Sequence, residues 1–197
     1  MKYLLIIVFS ALLSSGAQAS NIDSAYTELK PEENCSPFAG GNGEGEHWSD
    51  LVCSGYKGYP VLIYYGDARE SLFYGFPPSG HLAPAWESFS GFNSAGPSIE
   101  WRIVKEGGRE IPFATIHRWS VADADDPEKQ IEVLVVEKVA QIGTWEGCSV
   151  GYVVATGKED ANEEARRIAD ARARDFECGT DQPTVIAGSV PMPGLTR

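Results

Sequence analysis

The stretch CSVGYVVATGKEDANEEARRIADARARDFEC, running from Cys148 to Cys178, contains a change of period that decides the fold class. Its first eight residues, 148–155, are apolar, aromatic and β-branched, the composition of a buried strand. Between 160 and 176 the period changes: Ala161, Ala165, Ile168, Ala169 and Phe176 fall on one helical stripe. Thr156 and Glu159 fit a capping box, Glu159, Asp160, Glu163 and Glu164 sit at the positive end of the helix dipole, and Arg172 and Arg174 sit at its negative end. A strand of eight residues and a helix of seventeen both measure roughly 25 Å. A helix that folds back along the strand therefore returns Cys178 beside Cys148.

Working upstream, segments 61–65 and 71–76 read as a hairpin closed at Gly66-Asp67, and Pro77-Pro78 ends its second strand. Segments 99–104, 112–119 and 131–139 read as three further strands, turning at Gly107-Gly108 and at the acidic segment 122–129. Along the middle one, Phe113, Thr115, His117 and Trp119 alternate with Ala114, Ile116 and Arg118. Apolar residues on both faces make this strand central. Sequential strands followed by one helix predict an α+β fold: an antiparallel sheet with a C-terminal amphipathic helix packed on one face. The connection at 77–98, with His81, Trp86, Phe89 and Phe92, is long for a compact domain and predicts either a short helix at 83–88, the favoured reading, or a binding loop.

The ends of the chain define compartment and covalent framework. Lys2, the apolar run 4–13 and Ala17-Gln18-Ala19 before Ser20 form a secretory signal peptide at 1–19, and the apolar run is too short to span a bilayer. No cysteine follows the cleavage site, so the lipobox of an anchored lipoprotein is absent. The expected protein is periplasmic or secreted. Its segments read as a polar extended arm at 20–50, a single α+β domain at 51–187 and a flexible tail at 188–197. The net charge of −12 makes nucleic acid a poor partner. Cys35, Cys53, Cys148 and Cys178 form no C-x-x-C and lack zinc-ligand clustering. In an oxidising compartment they are expected to pair as disulfides, Cys148 with Cys178 by the fold-back argument and Cys35 with Cys53 by remainder.

The segments PFATIHRW at 112–119, LVV at 134–136, ARRIAD at 165–170 and FEC at 176–178, with the strand opening at Cys148, resemble a family of small exported alphaproteobacterial proteins of unassigned function. The resemblance covers roughly the last two thirds of the mature chain. It implies export and the pairing of the last two cysteines, and carries no activity, ligand or catalytic residue.

Motifs for chemistry fail at named positions. The acidic segment starting at Asp123 has Glu128 where a calcium loop needs Gly and Leu134 where it needs Glu. GGNGEGEHW, at 40–48, follows no predicted strand and offers acids where a phosphate would sit. Glu44, Glu46, His47 and Asp50 are competent metal ligands, but they share a flexible segment with one histidine. The histidines are His47, His81 and His117, with no H-E-x-x-H spacing, and His117 reads as a core imidazole with a hydrogen-bond partner. Around Ser94 the sequence has Phe92 where a nucleophile elbow needs Gly. No cofactor is implied, and Tyr56, Tyr59, Tyr64, Tyr65 and the tryptophans are accounted for by core packing and cross-strand pairs.

Hairpins centred near Arg109 and Asp125 would place Arg118 opposite Glu100 and Glu132, an ion pair of structural rather than catalytic type. The function these features favour is a non-catalytic binding or inhibitory protein, its partner a basic envelope-associated protein such as a lysozyme. The alternative is a periplasmic hydrolase acting on cell-wall or sugar substrates through two carboxylates about 5 to 9 Å apart. A structural envelope protein docking through its arm is a third expectation.

Overall fold

Residues 22–41, 48–77 and 86–196 are described by the computed structural model. The expected signal peptide at 1–19, Glu44, Glu46, His47 and His81 lie outside them. Along the chain run β1 (Ile22–Glu28), a single helical turn α1 (Pro31–Asn34), β2 (Cys35–Gly41), β3 (Trp48–Ser54), β4 (Pro60–Gly66) and β5 (Arg69–Tyr74). There follow β6 (Ser88–Phe89), β7 (Asn93–Glu106), β8 (Arg109–Ala122), β9 (Gln130–Lys138), β10 (Ser149–Val154), α2 (Ala161–Arg172), β11 (Thr184–Ile186) and β12 (Leu195–Thr196). The protein is mostly β-sheet, with α2 its one substantial helix among the described residues.

Two sheets face one another. The larger has the order β1-β7-β8-β9-β10-β11, the second β2-β3-β4-β5, and β6 pairs with β12. Every pairing within the two sheets is antiparallel except β10–β11, which is parallel and so departs from the expected wholly antiparallel sheet. Alternation along the strands sends Val61, Ile63, Leu72 and Tyr74 from the second sheet against Trp101, Trp119, Val133, Val135 and Tyr152 of the larger one. The opposite face of the larger sheet carries Ile116, Leu134, Val136, Val150 and Val153, on which Ala161, Ala165, Ile168 and Ala169 of α2 are buried. Close approach of helix to sheet depends on Gly151, since a Cβ there would lie 2.8 Å from Cγ2 of Ile168.

Disulfides join Cys35 to Cys53, which are direct cross-strand partners on β2 and β3, and Cys148 to Cys178, across the strand–helix unit.

Several sequence expectations need correction. The segment read as an arm, 20–50, supplies β1, paired along its length with β7, and two strands of the second sheet. The tail at 188–197 is tied down by β12, which pairs with β6, and Val190 and Met192 pack on the core. Of the helix expected at 83–88, residues 83–85 lie outside the described residues, 86–87 are irregular and Ser88 is in a strand. The capping box does not form: Asp160 is the N-cap without a side-chain cap bond, and the Thr156 hydroxyl instead accepts the Glu132 N–H at 2.7 Å. Phe113 also changes sides. Arg102 pairs with Ala114 and Ile103 with Pro112, so Phe113 is the extra residue of a bulge and joins the helix-side core.

Candidate functional site

On β9 the alternation Val133, Val135, Glu137 continues the inward face with a glutamate. Glu137 is 5% exposed. Its cross-strand neighbours are Thr115 on β8 and Ser149 on β10, so a polar row crosses the inner face where the second sheet ends. Among the described residues nothing donates a hydrogen bond to the Glu137 carboxyl and no cation pairs with it. Burial, and then the charge of Glu87, push its pKa well above the usual carboxylate value. Its proton is therefore held more tightly than that of an ordinary carboxyl.

Glu87 stands close by and accepts the Ser149 N–H at 2.7 Å and the Ser149 hydroxyl at 2.8 Å. Both glutamates line an open cleft of about 300 Å3 whose walls include Leu72, Phe73, Gly147 and the Cys148–Cys178 disulfide. Behind it both line a small cavity of about 10 Å3 with Trp119, whose buried indole N–H lacks an acceptor. A neutral carboxylic acid in such a place can donate a hydrogen bond or a proton, or lose its proton to pair with an entering cation.

Deeper between the sheets lies His117, fully buried. Its Nε2–H donates to the Gly96 carbonyl at 2.6 Å, which leaves Nδ1 to accept the Tyr74 hydroxyl, also at 2.6 Å. Burial pulls its pKa down to about 4, only partly opposed by the Gly96 carbonyl. Tyr74 is pushed well up by burial, then by the charges of Glu137 and Glu70. Both groups are neutral and inaccessible, and the pair fastens the second sheet to β8.

The expected Arg118, Glu100 and Glu132 constellation forms only in half. Arg118 pairs with Glu132 at 2.9 Å on the exposed surface. Glu100 is buried and held elsewhere: Arg166 of α2 donates to both its oxygens at 2.8 and 3.0 Å, and Ser24 of β1 at 2.6 Å. The cause is register. Glu100 pairs with Ile116 and Arg118 with Leu134, each two residues from the expected partner. An even offset keeps all three on one face but makes the contacts diagonal. Burial raises the Glu100 carboxyl, but hydrogen bonds from Arg166 and Ser24 and the charges of Arg166 and Arg102 outweigh it and hold it below its usual value. Arg102 completes the network by donating to Asp170 of α2 at 2.8 and 2.6 Å. Arg118 and Glu100 also line a cavity of about 230 Å3 with Ile116, Leu134, Tyr26 and Asn162.

Of the remaining sequence candidates, Asp50 lies on β3, Ser94 is exposed on β7, and the loop at 123–128 is closed by a bond from the Asp125 N–H to the Asp123 carboxylate and by an Asp126–Lys129 pair. Among the described residues no group of three His, Cys, Asp or Glu side chains is arranged to hold a metal ion. Glu137 was not singled out from sequence. Its signal was present, because a charge at an inward position of an otherwise apolar alternation marks a buried titratable group. Comparison with family models, curated proteins and solved structures finds no match to this chain.

Proposed function

We propose that this is an exported, non-catalytic binding protein whose Glu137 cleft receives a protonated amine or guanidinium from a basic partner. The observation that carries the reading is Glu137 itself: a glutamate 5% exposed, at a cleft of about 300 Å3, with no partner among the described residues. An uncompensated buried carboxyl costs several kcal/mol, and an entering cation would recover part of this by drawing the group into its ionised form. The net charge of −12 attracts the same class of partner from a distance. Export is read from the leader at 1–19, and two disulfides are compatible with an oxidising compartment. No helix among the described residues is long and apolar enough to cross a membrane. A basic envelope-associated protein, such as a lysozyme, is the partner class proposed.

A second reading is a hydrolase acting on cell-wall or sugar substrates. One specific observation favours it: two carboxyls line one cleft, Glu137 with its pKa raised by burial and Glu87 oriented by Ser149. Calorimetric titration of the mature protein with lysozyme and with N-acetyl-lysine methylamide, at pH 7 in buffers of different ionisation heat, separates the two. Binding that is lost in Glu137→Gln is the expected result. Binding indifferent to Glu137→Gln would overturn it, and turnover of wall fragments abolished by that substitution would establish the hydrolase instead.

A further inference from the structure

The second sheet has an outer face that the core does not use. Val52 pairs with Leu62 and Asp50 with Tyr64, while Phe73 and Ser71 stand opposite Leu62 and Tyr64 on β5. These side chains therefore point away from Val61, Ile63, Leu72 and Tyr74, which face the larger sheet. Trp86 covers the β4–β5 half by packing on the cluster of Leu62, Tyr64 and Phe73. The β2–β3 half is open: Phe38 is 36% exposed, Trp48 42% and Val52 38%. Such an exposed apolar group on a chain this acidic calls for an occupant.

Two polar groups among these rings have no partner. The Tyr64 hydroxyl is buried without a hydrogen bond, although the residue is 7% exposed. Asp50, its direct neighbour across β3 and β4, makes no hydrogen bond or ion pair among the described residues, and burial raises its pKa. The Phe38 and Tyr64 rings meet edge to face, 6.3 Å apart at 86°, next to this carboxylate. Rings around an acid suit one kind of side chain: a cation on an alkyl stem, which gains from packing, from the ring faces and from the charge together.

We infer that this half-face, formed by Phe38, Trp48, Asp50, Val52 and Tyr64, is a docking surface for a lysine or arginine side chain of a basic protein. The alkyl stem lies on Phe38 and Trp48, and the charged head meets Asp50. The inference rests on the proposed basic character of the partner but not on the Glu137 cleft, and the net charge of −12 supplies the complementarity.

The test is calorimetric titration of the mature protein with acetylated, amidated pentalysine at low salt. Asp50→Asn and Trp48→Ala should each weaken binding roughly five- to tenfold. Val185→Ser, which removes an exposed apolar side chain elsewhere, should leave it unchanged. Thermal melts of each variant identify any loss that comes from unfolding, and Trp48→Phe, which keeps a ring, should retain most of the affinity. Binding lost in Glu137→Gln but unchanged in Asp50→Asn and Trp48→Ala overturns this surface while leaving the cleft reading intact. Loss in Asp50→Asn with none in Glu137→Gln does the reverse. Two other outcomes would also overturn it: chitotriose binding abolished by Trp48→Ala without any pentalysine effect, or a dimer in sedimentation that Trp48→Ala dissolves.

Discussion

Two buried titratable groups give the stability of this protein opposite slopes with pH. His117 is neutral in the folded state with its pKa depressed to about 4 from 6.5. As pH falls from 6.5 the unfolded chain takes up a proton that the folded chain refuses, and stability drops by about 3 kcal/mol by pH 4. Nitrogen NMR should find His117 neutral, protonated on Nε2, at pH 6; an imidazolium there would refute the assignment. Glu137 acts in the other direction. Its raised pKa means that its contribution is fully present below 4.5 and is lost as pH rises through the folded value. The melting temperature of Glu137→Gln should therefore gain on that of the native protein as pH increases above 4.5, and a constant difference would contradict a raised Glu137 pKa. The two arginine pairs differ in the burial of their acids, since Arg118 and Arg166 are equally exposed but Glu132 is exposed and Glu100 is buried. Arg118→Ala removes a pair whose side chains are 38% and 51% exposed and should cost under about 1 kcal/mol. Arg166→Ala strips the bidentate partner from buried Glu100 and should cost about 2 kcal/mol, moderated by Ser24 and Arg102, which remain. Urea unfolding of the two variants side by side measures the contrast.

Elements were legible where side-chain burial forms them. β4, β5, β7, β8, β9 and β10 and the helix α2 each carry a period in their apolar residues, and the strand–helix span brings Cys148 and Cys178 together. β1, β2 and β3 were not, because of their residues only Cys53 is buried and their order comes from backbone pairing. In β1, IDSAYTE, only Ile22, Ala25 and Thr27 are even half-buried, yet all seven pair with β7. A strand held by its ladder leaves little trace in hydropathy. The bulge at Phe113 and the two-residue offset of Arg118 were invisible for a related reason: turn geometry fixes register, and Gly107-Gly108 close a hairpin in which Glu106 faces Arg109. Glu137 was legible in principle, since its inward parity follows once β9 is placed. The unit closed by Cys148 and Cys178 also defines a prediction at this scale. Replacing both cysteines by alanine reopens a loop of 30 residues and should cost about 3.6 kcal/mol in the chain-entropy model, measured by denaturant unfolding. A loss below about 1 kcal/mol would mean that the packing of α2 alone holds the return.

At the scale of the whole molecule the acids divide into two populations. Glu100 and Asp170 are spent on arginines that pin α2 to the sheet, and Glu110 is bonded by Tyr56 and Lys57. Glu137 and Asp50 have no such cation among the described residues, and they open on the cleft and on the aromatic face. On the proposed reading the net charge of −12 attracts a basic partner and these two acids receive its cations. This predicts a particular dependence on salt. The charge of the whole surface acts over distances that salt screens, with a Debye length of about 10 Å at 0.1 M, so the association rate with lysozyme should fall steeply as sodium chloride rises from 20 to 200 mM. Contacts made inside a cleft are screened much less. The dissociation rate should accordingly change little with salt but rise in Glu137→Gln and Asp50→Asn, which stopped-flow mixing resolves from the association phase. An association rate indifferent to salt would eliminate steering by net charge. A dissociation rate that tracks salt as strongly as association, and ignores both substitutions, would place the contact on the diffuse surface and not at either acid.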